Sequence, residues 1–424
     1  MIVPSPRLIW AAALVVLPAC AIAGLDPATI GVCAAVLAIF AAIALVDAAL
    51  AERRIAAISV RTPAFARFTK DVAGAVPLTF ENRNAGLTLR MAVAGEEARE
   101  ILVPNGPSSV DHSVTPSERG DHKLGAIHIE APSPLGLWQA RAARHPEFTF
   151  RVYPNLRDRA TASLFLKTAN PGLRAHRQVG KGREFDNLRH YLSGDNFEDI
   201  HWRATARRGF PVVKLYRVEQ AQEVYAVIDS SRLSMREGIL ESYVNAALHL
   251  ALVAERQGDR FGLATFSDRT HRFVRARNGM DHFRLCRETI YNLRSERVSP
   301  SFRDIFTSLQ LNLRRRSLIV FFTSLDDALL AETFEREVSM LSRRHLVLVN
   351  VTQTPDMQQL FTGELPETQD DLYHSLAGQM LWNRMRTLAI ALQNRGVKLA
   401  IVQPERMKAE VTAQYLDVKR RQAL

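Results

Sequence analysis

Cysteine is nearly missing from this chain: its 424 residues hold three, Cys20, Cys33 and Cys286. The first two lie in apolar runs, which leaves Cys286 alone in the polar remainder. No disulfide framework is available there, as suits a reducing compartment. Catalytic signatures are missing too. There is no G-x-S-x-G elbow, no P-loop, no G-x-G-x-x-G after a strand and no H-E-x-x-H. The twelve histidines are scattered without ligand spacing. Basic residues outnumber acidic ones, 55 to 44, for a net charge of +11, yet they are spread along the chain and form no nucleic-acid motif. We read the excess as a surface lying close to anionic lipid.

What is present begins with two long apolar runs, residues 8–25 and 28–50, separated by Asp26 and Pro27. About 20 such residues span a bilayer core, and a turn this short leaves only a hairpin. A cleaved signal peptide and a lipoprotein box at Leu17-Pro18-Ala19-Cys20 are the competing readings. A second apolar span follows at once, where a secreted chain would turn polar, and Pro18 departs from the usual box. Arg7 precedes the hairpin and Arg53 and Arg54 follow it, which places both ends in the cytoplasm and the chain in the inner membrane. Asp47 would cost about 3 kcal/mol at mid-bilayer, but near a helix end it reaches the interface.

Residues 55–155 carry short apolar runs broken by turn residues, the texture of a small β-sandwich. A hairpin-like turn is expected at 82–86, between runs 76–80 and 87–93. Trp138, amid Pro132, Pro134 and Gly136, reads as a core residue at an edge turn. Residues 156–220 form a charged collar, in which Arg183, Glu184, Arg189, Asp195, Asp199 and Arg203 alternate with Phe185, Tyr191 and Trp202 around Gly194. The pattern is neither an amphipathic helix nor an alternating strand. Charges of both signs beside aromatics suggest a folded network with buried aromatic anchors. From 221 to 424 the period switches to α/β. Strands are expected at 224–228, 261–266, 318–322, 346–351 and 397–402. Helices are expected at 239–256, 281–293, 305–313, 327–342, 372–393 and from 406. This order argues for a mostly parallel, doubly wound sheet with ligands at the carboxyl ends of its strands, where Asp229 falls.

The run G-R-E-F-D-x-L-R-x-Y-x-x-G-D, then I-H-W-R-A-T-A-R, V-K-L-Y and a strand ending in D-S-S, resembles the bacterial family known as domain of unknown function 58. The resemblance implies a membrane-anchored protein with a von Willebrand factor A-like domain. It also implies company with MoxR-type AAA+ ATPases, and no established catalysis. Such domains often hold a divalent cation through D-x-S-x-S, a Thr and a later Asp, all oxygen ligands suited to Mg²⁺. Here Asp229 and Ser231 match, Ser234 is displaced by one position, and Asp326 arrives two residues late, with Ser324 where the acid belongs. We expect a degenerate site of Asp229, Ser231, Ser234 and Asp326, with weak or absent Mg²⁺ binding. These residues equally suit helix capping.

Two functions follow. One is a non-enzymatic adaptor that docks a MoxR-type ATPase or its client through Asp229, Ser231, Arg232 and Ser234, with Arg232 pairing a partner carboxylate. The other is a metal-assisted hydrolase using Asp195, Asp199 and His201. No nucleic-acid partner is expected.

Overall fold

The computed structural model describes residues 1–82, 86–156, 179–193, 195–217, 222–236, 238–354, 357 and 369–421. It divides into two compact units, Met1–Asn155 and Leu156–Leu424.

The first unit opens with a short strand, β1 (Ile2–Pro4), before helices α1 (Pro6–Leu25) and α2 (Ile30–Ala56). Both helices are long and apolar enough to cross a membrane, and few of their residues are buried. Proline suits the first position of α1, where its missing N–H costs nothing. The second helix outruns the expected span by six residues, because Ala51 and Ile55 pack into the core of the domain that follows.

That domain is the expected β-sandwich, built from β2 (Ile58–Arg61), β3 (Phe65–Thr69), β4 (Gly74–Asn82), β5 (Leu87–Val93), β6 (Arg99–Val103), β7 (Gly106–Val114), β8 (Gly120–Lys123), β9 (Ile127–Pro132), β10 (Trp138–Arg144) and β11 (Thr149–Tyr153). Its sheets run β1-β10-β9-β5-β6, β2-β4-β7 and β3-β11-β8. Period-two alternation puts Val76, Leu78 and Phe80 of β4 and Leu89, Met91 and Val93 of β5 into one core. The hairpin expected at 82–86 is not formed: β4 and β5 belong to different sheets, so the chain crosses the sandwich there. Residues 83–85 lie outside the described set.

In the second unit, β12 (Val179–His190) pairs antiparallel with β13 (Val212–Arg217), and a short helix, α3 (Trp202–Arg208), lies between them in sequence. The described part of the collar therefore contains a strand pair, where the sequence suggested no alternating strand. Its alternation was obscured because register shifts interrupt the pairing between Val179 and Glu184 and between Phe185 and Asn187.

The remainder is a six-stranded sheet of β14 (Glu223–Asp229), β15 (Arg260–Phe266), β16 (Thr270–Arg277), β17 (Leu318–Thr323), β18 (Leu346–Thr352) and β19 (Val397–Val402). The order is β16-β15-β14-β17-β18-β19, and β16 alone runs antiparallel, at an edge. Helices α4 (Ile239–Arg256), α5 (Met280–Ile290) and α9 (Met407–Arg420) cover one face. Helices α6 (Phe302–Asn312), α7 (Ala328–Ser342) and α8 (Gln369–Asn394) cover the other. β17 is buried along its whole length, and β14 is buried from Val224 onward, as two-sided coverage requires. A close approach needs glycine at 262: a Cβ there would meet the Tyr225 ring at 2.3 Å. The strand sequence reverses direction between β14 and β17, which opens the crevice where such sheets bind ligands.

Candidate functional site

Asp229 ends β14 and Thr323 ends β17, so neighbouring parallel strands deliver them side by side. Thr323 Oγ1 donates to Asp229 Oδ2 at 2.6 Å, and the Ser231 amide donates to Oδ1 at 2.8 Å. The carboxylate is fully buried. Burial pushes its pKa up, and the bonds from Thr323 and Ser231 oppose that rise only in part. Nearby, the Tyr243 hydroxyl donates to the Thr323 carbonyl at 2.9 Å.

The serines are spent on local structure. Ser231 Oγ caps the 3-10 turn Arg232–Ser234 by accepting the Leu233 amide. Ser234 Oγ donates to the Ser231 carbonyl at 2.9 Å and lies 3.1 Å from Ser295 Oγ. The loop ahead of α6 closes over this turn: the Glu296 amide donates to the Ser230 carbonyl at 2.7 Å and the Arg232 amide to the Val298 carbonyl at 2.9 Å.

Asp229 gives both oxygens to protein donors, Ser231 and Ser234 face their own turn, and no hydrogen bond links Asp326 to any of them among the described residues. Asp326 Oδ1 and Ser324 Oγ are buried and make no hydrogen bond among the described residues.

The expected docking face is also corrected. Asp229, Ser231 and Ser234 are buried, so they present no surface. Arg232 is already engaged, its guanidinium donating to Asp327 Oδ2 at 2.9 Å and to Ser299 Oγ at 3.2 Å. The bond from Arg232 in turn holds the Asp327 carboxyl below its ordinary range, and Asp327 caps α7.

In the collar, Arg189 donates to Asp195 Oδ1 at 2.6 Å and the Leu192 amide to Oδ2 at 2.9 Å. The amide bond first, then the arginine, lowers the Asp195 pKa. His201 Nδ1 accepts the Ala204 amide as the cap of α3. No hydrogen bond or ion pair joins Asp195, Asp199 and His201 to one another among the described residues. Arg183, Glu184 and Phe185 fall within β12, and Gly194 lies outside the described residues. Trp202, expected as a buried anchor, is 67% exposed, and the nearby Phe197 is 72% exposed.

Residues 187–370 match the family model described as protein of unknown function DUF58. The match covers less than half of the 424 residues, and it is a likeness over that stretch. No curated protein matches the chain. Among solved structures it is similar to the SpRpn10 VWA domain, at 13% identity over 46% of this chain and 95% of that one, with a TM-score of 0.29. It is similar also to an aerotolerance-related membrane protein from Bacteroides fragilis, at 12% identity over 46% of this chain and 99% of that one, TM-score 0.28. A conserved hypothetical protein, BatB from Bacteroides thetaiotaomicron, aligns at 9% identity over 46% and 99%, TM-score 0.28. The doubly wound fold of the second unit rests on its own strand order and two-sided helix cover.

Thr323 escaped the sequence reading, although its position was a usable signal. Like Asp229 it is the polar residue closing a continuous apolar strand, and two such strands paired in register bring their last residues together.

Proposed function

We propose that this chain is a membrane-anchored, non-enzymatic scaffold that docks a MoxR-type AAA+ ATPase through the β12–β13 arm of its collar, in the inner membrane with its folded units in the cytoplasm. The observation that carries this reading is the exposure of Phe197, Trp202 and Leu192 within the stretch bearing the family motif. Exposed aromatics close to arginines are the composition of protein-binding hot spots. Arg203, Arg207 and Arg208 are exposed on α3, which favours an acidic face on the partner. The crevice around Asp229 then serves the fold and holds Mg²⁺ weakly at most, because its oxygens already have donors. Positive charge at Arg7, Arg53 and Arg54 supports the cytoplasmic orientation.

The test is capture of a purified MoxR-type ATPase by the full-length protein in nanodiscs. Trp202→Glu should weaken capture by about 30-fold or more, the scale of a hot-spot loss. Its melting temperature should stay within roughly 2 °C of wild type, because exposed substitutions cost little. Capture unchanged by Trp202→Glu, or a collapse in melting temperature, would remove the arm as the docking surface.

A further inference from the structure

The turn joining β15 to β16 and the loop before α6 bring four polar side chains to one point. Ser267 Oγ lies 2.6 Å from His271 Nε2, 2.9 Å from Asp268 Oδ1 and 3.0 Å from Glu296 Oε2. His271 Nε2 is also 3.4 Å from Glu296 Oε2. Ligand-capable atoms of Asp268, His271 and Glu296 all fall within 4.8 Å of one another. Backbone bonds tie these donors to the sheet edge: the Ser301 amide donates to the Ser267 carbonyl at 2.8 Å and the Glu296 amide to the Ser230 carbonyl at 2.7 Å.

We propose that Asp268, His271 and Glu296 bind a divalent metal of the zinc class, linking the β15–β16 turn to the loop before α6. This goes beyond the docking function and does not depend on it.

The proton count is the first argument. An N–H at His271 Nε2 and the Ser267 hydroxyl can supply two protons to this point. Three oxygens, from Ser267, Asp268 and Glu296, converge there as acceptors. His271 can satisfy Ser267, and Ser267 one carboxylate, which leaves the other carboxylate without a proton. Charge is the second argument. Neither carboxylate pairs with a lysine or arginine among the described residues, although Arg269, Arg272, Arg294 and Arg297 are close in sequence. Two carboxylates and an imidazole meeting without a fixed cation form a set that a dication neutralises.

A nucleophilic relay is the competing chemistry, and the geometry disfavours it. Such a relay places the hydroxyl and the orienting acid on opposite ring nitrogens. Here Ser267 and Glu296 share Nε2, and Ser267 is fully buried. Convergence on a single ring nitrogen is instead how a ligand set surrounds one ion. Mixed imidazole and carboxylate donors favour zinc-type ions over Mg²⁺. Bonds of about 2.0–2.2 Å place ligand atoms about 3.4 Å apart. The His271–Glu296 separation already matches that spacing. The exposed Asp268 side chain closes the remaining distance, and Ser267 becomes the outer hydroxyl orienting a ligating carboxylate.

The test uses the full-length protein in detergent, stripped with a chelator and titrated with Zn²⁺ and, separately, Mg²⁺ by calorimetry. We expect a Zn²⁺ site at least tenfold tighter than any Mg²⁺ binding. His271→Gln and Glu296→Gln should each weaken it by about tenfold or more, while Asp229→Asn leaves it unchanged. Zn²⁺ should raise the melting temperature of wild type but not of His271→Gln, and melts without metal show that each variant is folded. The proposal fails if Zn²⁺ does not saturate, if its affinity is the same in both ligand variants, if Asp229→Asn abolishes it, or if Mg²⁺ binds as well.

Discussion

Asp229 is a carboxylate whose environment penalises its charge. Its pKa is raised in the folded state, chiefly by burial. The folded chain therefore holds this proton at pH values where the unfolded chain has lost it, and stability falls as pH climbs from the ordinary carboxylate range through the raised pKa. Asn at this position has no charge to desolvate. Its carbonyl can accept the Ser231 amide, and its amino group can donate to Thr323 Oγ1, whose hydroxyl lies 3.3 Å from the Ser324 carbonyl. Asp229→Asn should therefore gain stability relative to wild type as pH rises from about 4 to 7, measured by paired denaturant titrations. A gap that stays flat or reverses would mean Asp229 is charged and well solvated in the fold. Asp229 and Ser231 were legible as a structured loop from their motif alone. Their burial was not, because composition cannot say which side of a loop faces water.

At the scale of elements, the joint between α2 and the β-sandwich was the least anticipated feature. Asp47, expected near a helix end at the membrane interface, is 1% exposed in the fold and accepts three bonds from one turn. Ser133 Oγ donates at 2.6 Å and the Leu135 and Leu137 amides at 3.0 and 3.3 Å. Trp138 Nε1 donates to the Ala44 carbonyl at 2.8 Å. The turn around Leu135, read from sequence as an edge feature with a core tryptophan, is a latch that grips a helix. Asp47 lies 17 residues beyond Ile30, about 26 Å along the axis, close to the far boundary of a hydrocarbon core roughly 30 Å thick. Asp47→Ala strands the donors of that turn. It should cost about 2–3 kcal/mol, read as a lower melting temperature and faster proteolysis of the β-sandwich in nanodiscs. Unchanged melting and proteolysis would show that water replaces the carboxylate without loss.

For the whole molecule, the first residues settle how the hairpin is strung. β1 pairs antiparallel with β10, matching Val3 with Gln139, and the Ser5 amide donates to the Leu137 carbonyl at 2.9 Å. The chain thus enters α1 from the same β-sandwich to which α2 returns it, so both ends of the hairpin lie on one side. With Cys20, Cys33 and Cys286 replaced, an impermeant thiol reagent should label Ala28→Cys and Leu135→Cys from opposite faces of a sealed vesicle. Labelling of both from one face would rule out spanning. The sequence by itself determined the helical hairpin, the β-sandwich and the doubly wound sheet, because each follows from hydrophobic period, run length and turn residues, which are local. Only the tertiary structure decided that Asp47 is a latch, that Arg232 is bound to Asp327, that Trp202 faces solvent, and that Ser267, His271 and Glu296 meet. Those outcomes depend on which residues distant in the chain become neighbours, and on how much water their packing leaves.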